Sequence, residues 1–318
     1  MLLTLPNRWN SLYDACSVLL QRVMDDDARL EAVNEVLRNE GGTNRTSYYG
    51  FDDQDKQVLQ EYCKVMKPLA NCLDRLQTEE NAYLGVLLPT LTLMRVALEQ
   101  ARGDQALTYA KPLVRALLRQ EGNKGRFNNR FSAMFKDLDL LMASALHPNY
   151  GMTTFNSVAP NMKEEIFQRI VKEMKALIRQ ETLLEERDNS QEMEEHEEVS
   201  ADPFAELCDT TQADQEDDLE EDIKEELLAW KRSKEATLKK SHFPAKYRDQ
   251  WVTLFIKYNT GIPSSAAVER LFSTAGDVLR PKRAYFSEDN FEYLVFLKGN
   301  LHLLKQKFKV PRGVDEGG

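Results

Sequence analysis

A chain of 318 residues, 42% hydrophobic and 30% charged, has the composition of an ordinary globular protein and enough length to bury a large core. Its net charge of −10 is unevenly spread: from Glu185 to Glu226 there are 20 acids against two bases, a balance of −18, which leaves +8 for the rest. Four cysteines (Cys16, Cys63, Cys72, Cys208) without a CxxC spacing and four scattered histidines (His147, His196, His242, His302) argue against a disulfide framework and against zinc. Reduced thiols in an intracellular protein are expected, with no metal and no cofactor. The opening Met-Leu-Leu-Thr-Leu-Pro has no basic region before an apolar core, which argues against a secretory signal. No apolar run approaches the roughly 18 to 20 residues that cross a bilayer, so no membrane association is expected.

In chain order, Trp9, Leu12, Tyr13, Cys16, Leu19, Leu20 and Val23 recur at steps of three and four, the mark of an amphipathic helix. A short helix is predicted over Leu30 to Leu37, ending at Gly41-Gly42. The next runs from Asp53 to Leu76, with Asp52 or Asp53 as its N-cap. Tyr83 to Leu98 is nearly all apolar and should be buried on most sides, with Pro89 bending the helix or marking its true start. Helical patterns continue over Leu107 to Leu118 and Phe127 to Leu146, then break at His147-Pro148-Asn149-Tyr150-Gly151. A long amphipathic helix is predicted from Met162 to Leu184. Strand-like alternation is nearly absent, so the fold class is mainly α, with residues 1–184 forming a helical domain.

Residues 185–226 read as an acidic linker, disordered or a solvated helix. A final domain is predicted over 227–308, followed by a polar tail, 309–318. Within that domain Pro263 holds Ile262 out of the helical region, and Ser264 or Ser265 can cap a helix whose Val268, Leu271, Phe272 and Ala275 form one stripe. Ser287 caps the last helix, Glu288 to Leu304. Its apolar residues divide between one face (Phe291, Leu294, Val295, Leu301) and another (Tyr293, Phe296, Leu297, Leu303). An arc so wide needs a second surface over it, either more of the same chain or a partner.

The stretch from Ile262-Pro-Ser-Ser-Ala-Ala-Val-Glu-Arg-Leu-Phe-Ser-Thr-Ala-Gly276 through Lys282-Arg283 to Leu294-Val-Phe-Leu-Lys-Gly-Asn-Leu301 resembles the C-terminal dimerisation region of hAT-family transposases and their domesticated, BED-finger relatives. Arg8-Trp9-Asn10-Ser11 with Tyr13-Asp14 looks like the element that opens the helical insertion in that family's RNase H-like core. The resemblance implies a helical insertion domain, a remnant of an RNase H-like core with most strands missing, and a homodimer or a pairing with a related hAT protein. The interface it implies comprises Leu271, Phe272, Phe291, Leu294, Val295, Phe296, Leu297 and Leu301. A nuclear location and weak DNA association are further expectations, and no small-molecule substrate is expected.

The family's strand transfer uses acids that hold two metal ions about 4 Å apart. By resemblance Glu269 matches the third of these acids, with Val268 where many relatives have Ser, and a plain surface carboxylate is the competing reading. The two aspartates fall before the Arg-Trp element, ahead of residue 1, so this chain alone is expected not to be an enzyme. The alternative is the C-terminal fragment of an active DDE-type transposase, a metal-dependent nuclease. Trp9 is read either as core or as a ring that stacks on an extruded base. Arg280, Lys282 and Arg283 are read either as solvated charge or as phosphate contacts.

Overall fold

The computed structural model describes residues 9–40, 50–78, 81–118, 127–192, 212–235, 237–266, 268–270, 272–273 and 287–301. Among them there are helices and turns and no strand, as a mainly α chain requires. The chain divides into two compact units, one of Met1–Leu76 with Glu80–Pro263 and one of Gln77–Glu79 with Ser264–Gly318.

In the larger unit α1 (Trp9–Leu19) passes into a π-helical turn, Leu20–Met24, and α2 covers Asp27–Glu40, beyond the predicted Leu30–Leu37. The predicted stop at Gly41-Gly42 lies outside the described residues. Helix α3 (Asp53–Gln77) opens on a reciprocal cap. Asp52 Oδ1 accepts from the Asp55 N–H at 2.8 Å, and the Asp52 N–H donates to Asp55 Oδ2 at 3.2 Å. Helix α4 (Leu87–Gly103) has Pro89 as its third residue, in the first turn, where a missing N–H costs no intrahelical bond. Pro89 therefore marks a start and not a bend.

Helix α4 is less enclosed than its composition suggests: Leu93 is 59% and Val96 44% exposed. The stretch Leu84–Gly103 is long and apolar enough to cross a membrane by length and composition, which corrects the expectation drawn above. Half of it is buried in the protein, and Leu88, Leu91 and Leu98 sit at 2% exposure or less. A core helix satisfies the same pattern.

A small core forms where α3 and α4 meet α5 (Lys111–Leu118), around Val65, Leu69, Leu98, Leu107 and Val114. The start of α5 is held by a buried carboxylate. Glu61 accepts from the backbone N–H groups of Thr108, Tyr109 and Ala110 at 2.6 to 2.9 Å. Burial alone would raise the Glu61 pKa, but those three donors outweigh it and the net direction is down.

The helix predicted over Phe127 to Leu146 is in fact three pieces: α6 (Phe127–Phe131), a 3-10 turn at Met134–Lys136, and α7 (Leu138–Ala145). The reason is local. Asp137 is extended, and its carboxylate accepts from the Asp139 and Leu140 N–H groups at 3.0 and 3.3 Å, so it starts a new helix. After the break, where Gly151 takes a φ of 57°, a short α8 (Phe155–Val158) leads to α9 (Lys163–Glu192), longer than the predicted Met162–Leu184.

The acidic stretch is not all linker. Helix α10 spans Gln212–Ala229, and Ile223 (0% exposed) and Leu227 (3%) enter the main core. Lys175 on α9 pairs with Glu220 on α10 at 2.8 Å. Helix α11 (Arg248–Asn259) closes that core with Trp251, Leu254, Phe255 and Tyr258. The larger unit runs on to Pro263, with Ile223 and Leu227 packed in the core that α9 and α11 share. Residues 193–211 and the tail 309–318 lie outside the described residues.

At the centre of this unit, the Asn259 side chain accepts from the Gly85 N–H at 2.8 Å and donates to the Ala143 carbonyl at 3.1 Å. One buried amide thus joins α11, the turn before α4, and α7, and satisfies two backbone groups that would otherwise be buried unpaired.

Candidate interaction surface on the last helix

The smaller unit contains helical residues at 266, 268–270 and 272–273 and a final helix, α12 (Glu288–Gly299). Ser287 caps α12 as predicted: its hydroxyl accepts from the Asn290 N–H at 3.4 Å, and its carbonyl accepts from the Phe291 N–H at 3.0 Å. Asn300 ends the helix, its backbone and side-chain nitrogens both donating to the Phe296 carbonyl at 3.0 and 2.9 Å. Lys298 lies in the last turn, where positive charge suits the helix dipole.

Six of the seven residues from Phe291 to Leu297 are apolar or aromatic, with only Glu292 between them. Tyr293 and Phe296 are each 65% exposed, Leu297 47%, Leu301 45% and Leu294 36%. At about 100° per residue these five side chains share an arc of roughly 160°. Phe291 and Val295, on the opposite side, are half-buried. The two predicted faces are thereby redrawn. Leu294 and Leu301 join the open face with Tyr293, Phe296 and Leu297, and Phe291 with Val295 forms the sheltered one. Tyr293 was outside the interface implied by the resemblance, although it lies one helical turn from Phe296 and Leu297.

Earlier in the same unit Phe272 is 70% and Val268 43% exposed. Glu269 is exposed, and its carboxylate accepts from the Ser265 hydroxyl at 2.8 Å. No group of three His, Cys, Asp or Glu side chains suited to a metal ion occurs among the described residues. The Ser264 hydroxyl accepts from the Ala266 N–H at 3.4 Å, while Ser265 turns to Glu269. Leu271, Arg280, Lys282 and Arg283 lie outside the described residues. Trp9 begins α1, but its side chain is likewise outside them; its neighbour Asn10 donates to Asp74 Oδ1 on α3 at 2.5 Å.

In the larger unit several titratable groups hold helices together. Arg169 on α9 reaches Asp139 on α7 at 2.8 Å and the Tyr258 hydroxyl on α11 at 3.0 Å, and Glu173 takes Lys257 at 2.7 Å. Burial would raise the Glu173 pKa, but hydrogen bonds from Lys257, Tyr258 and Arg169 outweigh it and lower it. His147 is 3% exposed and packs edge-on against Tyr83 and Phe255. Burial first, and the nearby Arg75 charge second, push its pKa down to about 4. Its Nδ1 accepts from the Asn149 N–H at 3.2 Å, an arrangement suited to a neutral core imidazole. Among the described residues, the open arc of α12 carries five exposed apolar side chains on one side of a single helix. The chain matches no protein-family model and no curated protein.

Proposed function

We propose that this chain is a transposase-derived protein of the hAT type whose role is dimerisation through α12. The observation that carries the reading is the arc of five exposed apolar side chains, Tyr293, Leu294, Phe296, Leu297 and Leu301. A clustered apolar face of this kind marks a protein interface more often than free surface. A second copy is the partner because homo-oligomers most often close as two-fold dimers, in which each copy offers the same patch to the other. The C-terminal motif from Ile262 to Leu301 supports the family assignment, with residues 1–184 as counterpart of the family's helical insertion. In this reading the chain's role is pairing and not catalysis. A nuclear location and weak, salt-sensitive DNA association belong to it as secondary properties.

Light scattering on the full chain across a dilution series tests the assignment. The wild-type mass should be that of a dimer, and Tyr293→Asp with Phe296→Asp should halve it while the helical circular dichroism stays unchanged. Both positions are open, so folding does not depend on them. A monomer at every wild-type concentration, or a dimer that persists in the double variant, would overturn the proposal.

A further inference from the structure

The larger unit has an open apolar groove of its own, between α3 and α4. The two helices run antiparallel there: the Cys72 thiol donates to the Thr90 carbonyl at 3.5 Å, and Lys64 meets Asp104, just past the end of α4, at 2.5 Å. On α3 the groove is edged by Lys64, Lys67, Asn71 and Arg75, at steps of three and four; on α4 it is edged by Leu93, Val96, Ala97 and Gln100. Between the rows is a hollow of about 520 Å³. Each row covers about three helical turns, or roughly 15 Å.

The α4 side of the groove is apolar and open, with Leu93 and Val96 exposed. Its buried polar side chains are already used, the Thr90 hydroxyl donating to the Val86 carbonyl at 2.6 Å and the Cys72 thiol to Thr90. They ask nothing of a guest. The α3 side is basic, and among the described residues no carboxylate lines the hollow. Lys64 shares its charge with Asp104. Arg75 lies over the Tyr150 ring, 5.6 Å from its centroid, and donates to the Tyr150 hydroxyl, which is uncharged and leaves the guanidinium charge unmatched. Lys67 is exposed between them.

We propose that this groove receives an acidic amphipathic helix of a partner protein. A guest of three turns would lay aliphatic or aromatic side chains at i, i+4 and i+7 over Leu93 and Val96. Asp or Glu on its flank would face Lys67 and Arg75, charge meeting opposite charge. Nucleic acid would find the same bases, but its phosphates would have to cover the exposed Leu93 and Val96, an apolar surface that polar groups lose hydration to bury. A flat bilayer does not enter a hollow between two helices. The groove belongs to the larger unit alone, so this inference stands apart from pairing through α12.

The test titrates the full chain against a fluorescein-labelled peptide of about 15 residues, enough for three turns and its ends. The peptide has Leu, Phe and Leu at i, i+4 and i+7, Glu on both flanks and Ala elsewhere. Fluorescence anisotropy should show saturable binding that weakens as salt rises, and a scrambled peptide of the same composition should not bind. Leu93→Ser with Val96→Ser, and separately Lys67→Glu with Arg75→Gln, should each weaken binding by at least about tenfold. All four positions are exposed, and circular dichroism verifies that the variants are folded. Lys231→Glu with Arg232→Gln makes the same charge change at exposed positions outside the groove and should bind like the wild type. A wild-type chain that does not bind the peptide, equal binding of the scrambled peptide, binding that survives either groove change, or an equal loss in the control would each overturn the proposal. Displacement of the peptide by duplex DNA would overturn it in favour of nucleic acid. Self-association that is lost in the Leu93 and Val96 variant would overturn it in favour of a second copy.

Discussion

Helices α11 and α12 are each 12 residues long, and each has six apolar or aromatic side chains: Trp251, Val252, Leu254, Phe255, Ile256 and Tyr258 against Phe291, Tyr293, Leu294, Val295, Phe296 and Leu297. Their fates differ. In α11 Trp251 is 0% exposed and Leu254 1%, with Phe255 and Tyr258 also buried, while no described side chain of α12 is buried. Amount of apolar surface does not separate them; its order does. The buried positions of α11 fall at i, i+3, i+4 and i+7, leaving a polar flank for solvent. The apolar positions of α12 run almost consecutively and leave only a narrow polar flank around Glu288 and Glu292, so a single neighbouring surface cannot cover them.

That contrast is sharpest at Trp251. Its replacement by Ala should destabilise the larger unit by about 3 to 5 kcal/mol, the usual cost of emptying a large aromatic site in a core. Urea unfolding followed by far-ultraviolet circular dichroism would measure it, and a loss below about 1 kcal/mol would mean that α11 is not the core helix described. Gly85→Ala should come next. A Cβ there would lie 2.6 Å from the Asn259 Oδ1 and closer still to the Ala143 carbonyl oxygen. The forced shift should cost about 1 to 3 kcal/mol in the same unfolding experiment, and an unchanged midpoint would remove the Asn259 bridge as a keystone.

Per pH unit, a smaller effect is expected from acidification. His147 packs on Phe255 of α11, and its folded pKa of about 4 lies below the ordinary 6.5. The unfolded chain therefore binds the proton first. The neutral ring's stabilising contribution is complete above about pH 6.5 and falls as pH drops toward 4, by at most about 1.4 kcal/mol per unit. His147→Phe should flatten that part of the stability–pH curve, and a slope that persists in the variant would assign it to other groups. Smallest of all, Phe296→Ser on α12 should change the unfolding free energy of the dissociated chain, measured at concentrations where no dimer forms, by no more than about 0.5 kcal/mol, since the ring is already 65% exposed. A loss comparable to that of Trp251→Ala would show that α12 is covered within its own chain and erase the comparison.

Much of the helical layout was legible from residue order alone. The caps at Asp52 and Ser287, the start of α4 at Pro89 and the break at residues 147–151 all depend on side chains within a few positions of the backbone they affect, so local spacing is sufficient to find them. The width of the apolar arc on the last helix was legible for the same reason. Asp137 could also have been found, since an Asp ahead of an apolar run is a cap signal, but the continuous pattern from Phe127 to Leu146 hid it.

Other features depended on residues distant in sequence. Ile223 fell in the expected acidic linker, but α9 supplies a surface for it and for Leu227, and the larger unit runs on to Pro263. Glu61 lies on α3, yet it caps a helix that starts 50 residues later. Which side of α12 stays open was likewise decided by tertiary packing. Periodicity and capping are properties of neighbours in the chain, and the sequence by itself determined those. Burial and charge pairing are properties of neighbours in space, and only the folded structure could decide them.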